Sequence, residues 1–298
     1  MRRSLSLLLL LSSTLTWAKE YSATAMVLKV DRARKTMVVS CQDIPGLMSS
    51  MTMPFRVKDG RELAGLAPGE MVKFTLVVHR TTSYAEHVRV KPYDSSQQDP
   101  FTAERLKLLQ QIYERPPAVT RQISVGERVP DFTLIDTERH PVSLSQFSGK
   151  VVALNFIYTS CALPTFCYRT ANNFSILQKR FANQLGTGLV LLTVTFDPDR
   201  DQPEVLANYA RTWKANPATW HFLTGPAADV RHVTSMFGMD FFPDEGLMNH
   251  SLHTAVIDRS GKLVANIEGN EYSAEQLGDL VQTVLDQRFG ASNDNASR

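Results

Sequence analysis

The chain has 298 residues, 43% hydrophobic and 21% charged, a length at which two domains are a better expectation than one core. Lysine and arginine number 32 against 30 aspartate and glutamate, and setting aside Arg2 and Arg3 leaves the two signs balanced. That balance excludes the basic face of a nucleic-acid binder and a polybasic membrane surface, and three cysteines (Cys41, Cys161 and Cys167) are too few and too odd for a disulfide-stapled fold.

Residues 1–18 read as an export signal: two arginines, an apolar run from Leu5 to Leu15, then the small residues Thr16 and Ala18 of a signal-peptidase site. The run is too short to span a bilayer comfortably, and no cysteine follows it for lipid anchoring. A periplasmic or otherwise exported protein is expected, attached to a membrane only if the leader stays uncleaved.

Residues 21–92 carry strand-like alternation over Ala23–Val30, Lys35–Ser40, Phe55–Val57 and Met71–His79. Gly60, Gly65 and Pro68-Gly69 punctuate them. Short strands at this spacing predict a small all-β, OB-like barrel. Residues 93–122 form a polar linker with one short amphipathic helix, Thr102–Tyr113, ended by Pro116-Pro117.

From residue 123 to 289 the pattern is α/β. Asp131–Asp136 is a short strand, and VVALNFIY (151–158) and LVLLTVTF (189–196) are continuous apolar runs, as expected of strands covered on both faces. Helices are predicted over Arg169–Phe181 and Pro203–Trp213. A hairpin is predicted over His253–Asp258 and Lys262–Ile267, and a capping box at Ser273 and Gln276 opens a final helix running to Arg288. This order is that of a thioredoxin-like domain. Residues 290–298 are small and polar, and a disordered tail is expected there.

Cys161 and Cys167, in SCALPTFCYRT, follow the strand 151–158, where the next helix N-terminus lowers thiol pKa and favours thiolate. The Cys-x5-Cys loop is wider than the usual dithiol spacing, yet it can close a disulfide or aim both sulfurs at one metal. Thiolates select Cu(I) or zinc, and an imidazole would complete either site. His250 and His253, in MNHSLHTAVID, stand before and at the start of the hairpin. The loop position favours His250 over His253 as the one that reaches the cysteines.

In CQDIPGLMSSMTMPF, Met51 and Met53 stand at i and i+2 and share one face of a strand, with Met48 close by. The turn after Cys41 could fold that thiol onto the same face. Spacing alone favours core packing for these methionines, thioether being a gap-filler.

Residues 125–285 resemble the Sco/SenC family of exported, thioredoxin-fold copper chaperones. The matching pieces are VGERVPDFTLIDTERHPVSLSQFSGKVVALNFIYTSC, TFDPDRDQPEVLANYA, WHFLTG and NHSLHTAVIDRSGKL. The resemblance implies copper held by Cys161, Cys167 and His250, delivered to the binuclear copper centre of a cytochrome oxidase subunit or another periplasmic copper protein, or reduction of that centre's cysteines. The chain departs from the family in its spacing, five residues where three are usual, and in Tyr168 where proline usually stands. Asp197-Pro198 and Asp201 match a family segment, but a solvated turn explains them equally well. Residues 23–90, through IPGLMSSMTMPFRV, resemble CusF-type copper-binding domains. That implies a Cu(I) site of Met51 and Met53, with Cys41 where the family has histidine and Met48 near its tryptophan position. A copper-binding metallochaperone is therefore expected, with Cu(I), or Cu(II) at the cysteine site. The alternative is a thiol–disulfide reductase in which Cys161 attacks and Cys167 resolves.

Overall fold

A computed structural model describes residues 18–93, 121–161, 163–244 and 247–287, with isolated positions between 104 and 111. The leader (Ala18 apart), most of the linker helix and the C-terminal tail lie outside the described residues.

The first domain is one antiparallel sheet of strands β1 (Lys19–Asp31), β2 (Thr36–Cys41), β3 (Met51–Arg56), β4 (Met71–Val78) and β5 (Ser83–Val90), ordered β3-β2-β1-β4-β5. Strand β5 was not foreseen: its sequence, SYAEHVRV, carries too little apolar alternation to be read alone. Alternating residues such as Ala25, Val27, Met37, Val39, Phe55, Val72 and Phe74 bury one face. The sheet curls until its edges approach. Val57 forms a single parallel bridge with Ala85, and Lys58 N donates to the Ala85 carbonyl at 2.9 Å. No further pairing joins these edges among the described residues, and the curled five-stranded antiparallel sheet is consistent with the expected small all-β, OB-like domain.

The second domain begins with a small ribbon, β6 (Thr133–Ile135) and β7 (Pro141–Ser143). Its main elements are β8 (Val151–Ile157), α1 (Arg169–Arg180), β9 (Leu189–Thr195), α2 (Pro203–Thr212), β10 (Trp220–Leu223) and α3 (Ala227–Met236). There follow a two-stranded ribbon β11 (Phe241–Asp244) and β12 (Leu247–His250), the hairpin β13 (His253–Ile257) and β14 (Leu263–Glu268), and α4 (Ala274–Leu285). The main sheet is ordered β10-β9-β8-β13-β14. The first three strands are parallel, and β13 runs against β8. Strands β8 and β9 are buried along their whole length, which is why both read as unbroken apolar runs. Helices α1 and α4 pack on each other and on β8. This is the thioredoxin-like layout, with chemistry expected at the C-terminal end of β8.

The domains are packed together. Met26, Leu28 and Met71 of the first lie in the same buried cluster as the core of the second. Gly69 has φ +89°, and a Cβ there would come within 2.7 Å of the Ala265 methyl, so backbone meets side chain directly. Ser40 and Thr52 each donate to one oxygen of Asp279 at 2.7 Å, Arg180 binds the other at 2.6 Å, and Gln276 Nε2 donates to the Ser40 carbonyl at 3.1 Å.

Candidate metal and thiol site

Cys161 follows β8 after a short turn, and Cys167 sits in a single π-type turn, Pro164–Tyr168, that leads into α1. The turn is kinked at Phe166 (φ −104°, ψ −113°), where the backbone leaves helical geometry before α1 begins. Thr170 Oγ1 donates to the Cys167 carbonyl at 3.0 Å and fixes the turn from the helix side.

The sulfurs of Cys161 and Cys167 and a ring nitrogen of His250 all lie within 4.8 Å of one another, and Cys167 Sγ is 3.9 Å from His250 Nε2. Cys161 is half-buried, while Cys167 and His250 are buried. His250 Nδ1 lies 2.7 Å from the Ser251 carbonyl, so Nδ1 is assigned as the donor and Nε2 faces the sulfurs. Unprotonated, that nitrogen offers a lone pair to a metal; protonated, it donates to a thiolate. The Tyr158, Phe166 and Phe196 rings surround the imidazole at centroid distances of 5.6, 5.9 and 4.7 Å. Donors bonded at about 2.0–2.3 Å to one ion stand roughly 3.5–4 Å apart, so this set closes on an ion with small side-chain shifts. Two soft sulfurs and one imidazole in an apolar shell suit Cu(I).

The two thiols are unequal. Hydrogen bonding from Cys167, then from His250 and the backbone, outweighs burial and pulls Cys161 down to about 4. Burial, followed by the neighbouring Cys161, pushes Cys167 well above its ordinary value. The less buried partner is the one that favours thiolate, which is the asymmetry expected of an attacking and a resolving thiol.

His250 does not sit in a loop as expected. It ends β12, in register with Phe241 of β11, and this ribbon carries it to the cysteines. His253 begins β13, is buried, and pairs with Asn266 Oδ1 at 3.2 Å, outside the cluster. Asp201 is not in a solvated turn. It is fully buried and accepts from Thr159 N at 3.0 Å, Thr159 Oγ1 at 2.5 Å and Thr195 Oγ1 at 2.5 Å. It therefore pins the chain two residues before Cys161 to the end of β9. The sequence signals for it were an aspartate shortly after an apolar strand and its place in a family-like segment, and neither distinguishes an anchor from a surface turn.

In the first domain, Cys41 stands directly opposite Met51 in the β2–β3 register, and Met53 opposite Val39, so all three side chains share the inner face. Met48 is brought near by a turn closed through Ile44 N to the Met48 carbonyl at 2.9 Å. Met48 and Met53 are half-buried against the domain core, whereas Met51 is 49% exposed at the rim. Cys41 is buried, donates to the Thr24 carbonyl at 3.8 Å, and is pushed up to about 11 by that burial. The rim therefore offers thioethers at the surface with a protonated thiol beneath them.

The SCO1/SenC family model matches residues 121–286, and the model for the copper-binding periplasmic protein CusF matches residues 20–88. The SCO2-like protein of Rickettsia typhi is 29% identical over 151 residues, 48% of this chain and 69% of that protein. Protein sco1 of Schizosaccharomyces pombe is 25% identical over 189 residues, 61% of this chain and 68% of that protein. Copper-bound yeast Sco1 superposes with a TM-score of 0.49 at 22% identity, covering 59% of this chain and 96% of that one.

Proposed function

The chain belongs to the SCO1/SenC family, and from that premise we propose that it is an exported copper-handling protein whose second domain binds copper through Cys161, Cys167 and His250. The observation that carries this reading is the convergence of two sulfurs and one imidazole nitrogen within 4.8 Å, on elements far apart in sequence. Copper is the cargo, and the chain's own task is to supply soft donors beside the aromatic shell of Tyr158, Phe166 and Phe196. The first domain adds a second Cu(I) position at Met51 and Met53, with Met48 beside them and Cys41 beneath. The CusF match over residues 20–88 supports this position. The recipient that the family resemblance implies is the binuclear copper centre of a cytochrome oxidase subunit, or another periplasmic copper protein. Export rests on the leader and on the periplasmic CusF relative. No helix among the described residues is long and apolar enough to cross a membrane.

Titration with Cu(I) tests both positions. Cys161→Ala with Cys167→Ala should remove one bound ion and the sulfur-to-metal absorption, and Met51→Ala with Met53→Ala should remove a second ion independently. Unchanged stoichiometry in either pair sinks the corresponding position. A second reading, favoured by the unequal thiols, is that the same pair reduces disulfides. In that reading the Cys161 thiolate attacks, a mixed disulfide forms, and Cys167 displaces the substrate thiol as the protein's own disulfide closes. Turnover of a disulfide substrate by metal-free protein, lost in Cys161→Ser, separates this reading from metal binding alone.

A further inference from the structure

The Cys161–Cys167 loop is held by a segment that the copper reading does not use, the turn Gly269–Tyr272 between β14 and α4. Asn270 is fully buried, and its Nδ2 donates to the Thr165 carbonyl in the middle of the Cys-x5-Cys loop. Its Oδ1 has no hydrogen-bond partner among the described residues. A buried amide with an unmet acceptor is costly, so an apolar residue would serve packing better. What an apolar residue cannot supply is the bond to Thr165. Two residues on, the Tyr272 carbonyl accepts from Arg169 Nη2 at 3.4 Å, at the start of α1. The turn thus grips the cysteine loop at its centre and just past its end.

The other side of this turn belongs to the first domain. Lys91 Nζ pairs with Glu271 at 2.5 Å, both side chains being largely buried. The Tyr93 ring lies so close to Gly269 (φ +82°) that a Cβ there would collide with it. The segment leaving β5 therefore presses on the residue before Asn270 and binds the residue after it. We propose that Asn270 is a positioning residue for the Cys161–Cys167 pair, and that the first domain braces it through Lys91 and Tyr93, so that docking of one domain sets the redox poise of the other's thiols. With the loop held, the two sulfurs face each other at high effective concentration and the disulfide is favoured. With the loop released, the dithiol is favoured.

The inference goes beyond copper binding and does not depend on it, because it is read in metal-free protein. The full chain is equilibrated with oxidised and reduced dithiothreitol. Closing the Cys161–Cys167 bond takes two electrons and two protons from the thiols, opens the ring disulfide of the reagent and leaves it as the dithiol. The ratio of forms gives the midpoint potential. Asn270→Ala is expected to shift the exchange constant about tenfold towards the dithiol, or ~30 mV for this two-electron couple. Lys91→Ala and Glu271→Gln should shift it in the same direction by a smaller factor, and their combination with Asn270→Ala should fall short of the sum. These two variants lie at the domain boundary, so they keep the proposal testable if Asn270→Ala fails to fold. An unchanged potential in folded Asn270→Ala overturns the positioning role. An unchanged potential in both boundary variants overturns the bracing. Absence of Cu(I) binding by the unsubstituted protein, with these potentials shifted as expected in the variants, would sink the copper reading and leave this one standing.

Discussion

At the scale of single residues, the chemistry rests on an inequality between two sulfurs. In metal-free protein, iodoacetamide at about pH 6 should alkylate Cys161 rapidly and leave Cys167 and Cys41 unmodified, as read by peptide mass spectrometry. Equal labelling of the three would remove the basis of the attacking and resolving roles. The same inequality fixes how stability follows pH. Cys161 is depressed from 9.0 to about 4, so the unfolded chain holds its proton across that window and the folded chain does not. Its contribution is complete above 9 and is lost as pH falls towards 4. Cys41 is raised to about 11, so its contribution is present below 9 and is lost as pH climbs through 11. Chemical denaturation across pH 5–8 should therefore show stability rising, with the slope reduced in Cys161→Ser. Asp201 carries a different burden. It accepts three hydrogen bonds in a fully buried position, and Asp201→Ala should cost about 3 kcal/mol and loosen the approach to Cys161.

At the scale of elements, α4 does more than close the second domain. Its capping box is complete, Ser273 Oγ accepting from Gln276 N at 3.1 Å while the Gln276 side chain returns the bond to Ser273 N at 3.1 Å. Ser273→Ala should cost about 1 kcal/mol in thermal unfolding. The middle of the same helix presents Asp279 to the first domain. Despite burial, hydrogen bonds from Arg180, Ser40 and Thr52 hold its carboxyl below the ordinary value of 3.8. Its contribution is therefore present above that value and is lost as pH falls through the lower folded one. Elements like α4, β8 and β9 were legible because their signals are local: a cap, a period, an apolar run. The ribbon β11–β12 was not, since its strands are four residues each, one contains Pro243, and their pairing is set by what they rest on. Helix α3 begins at Ala227, after Pro226 in the cap position with no side-chain cap, so no capping residue marked its start. Both cysteines were readable from their place after β8 and His250 from its distance to the hairpin, whereas Asn270 and Asp201 act on partners 105 and 42 residues away. No local pattern records such bonds.

At the scale of the whole molecule, the expected arrangement was two sites on a tether, and the described residues instead meet across a shared apolar cluster and a set of polar contacts. Calorimetry of the full chain should show one unfolding transition. Asp279→Ala, which removes the acceptor of Ser40, Thr52 and Arg180, should split or broaden it. Two transitions in the unsubstituted protein would mean that the contact contributes little. Gly69 carries the point furthest. Because its missing side chain is what lets the loop sit on Ala265, the boundary is shaped on both sides like a key cut for one lock. Each half produced alone would turn Met26, Leu28 and Met71, or Ala265 and Ile267, out to water, and would be expected to self-associate. A lineage that joined these parts could not afterwards trade either for a relative without recutting the other.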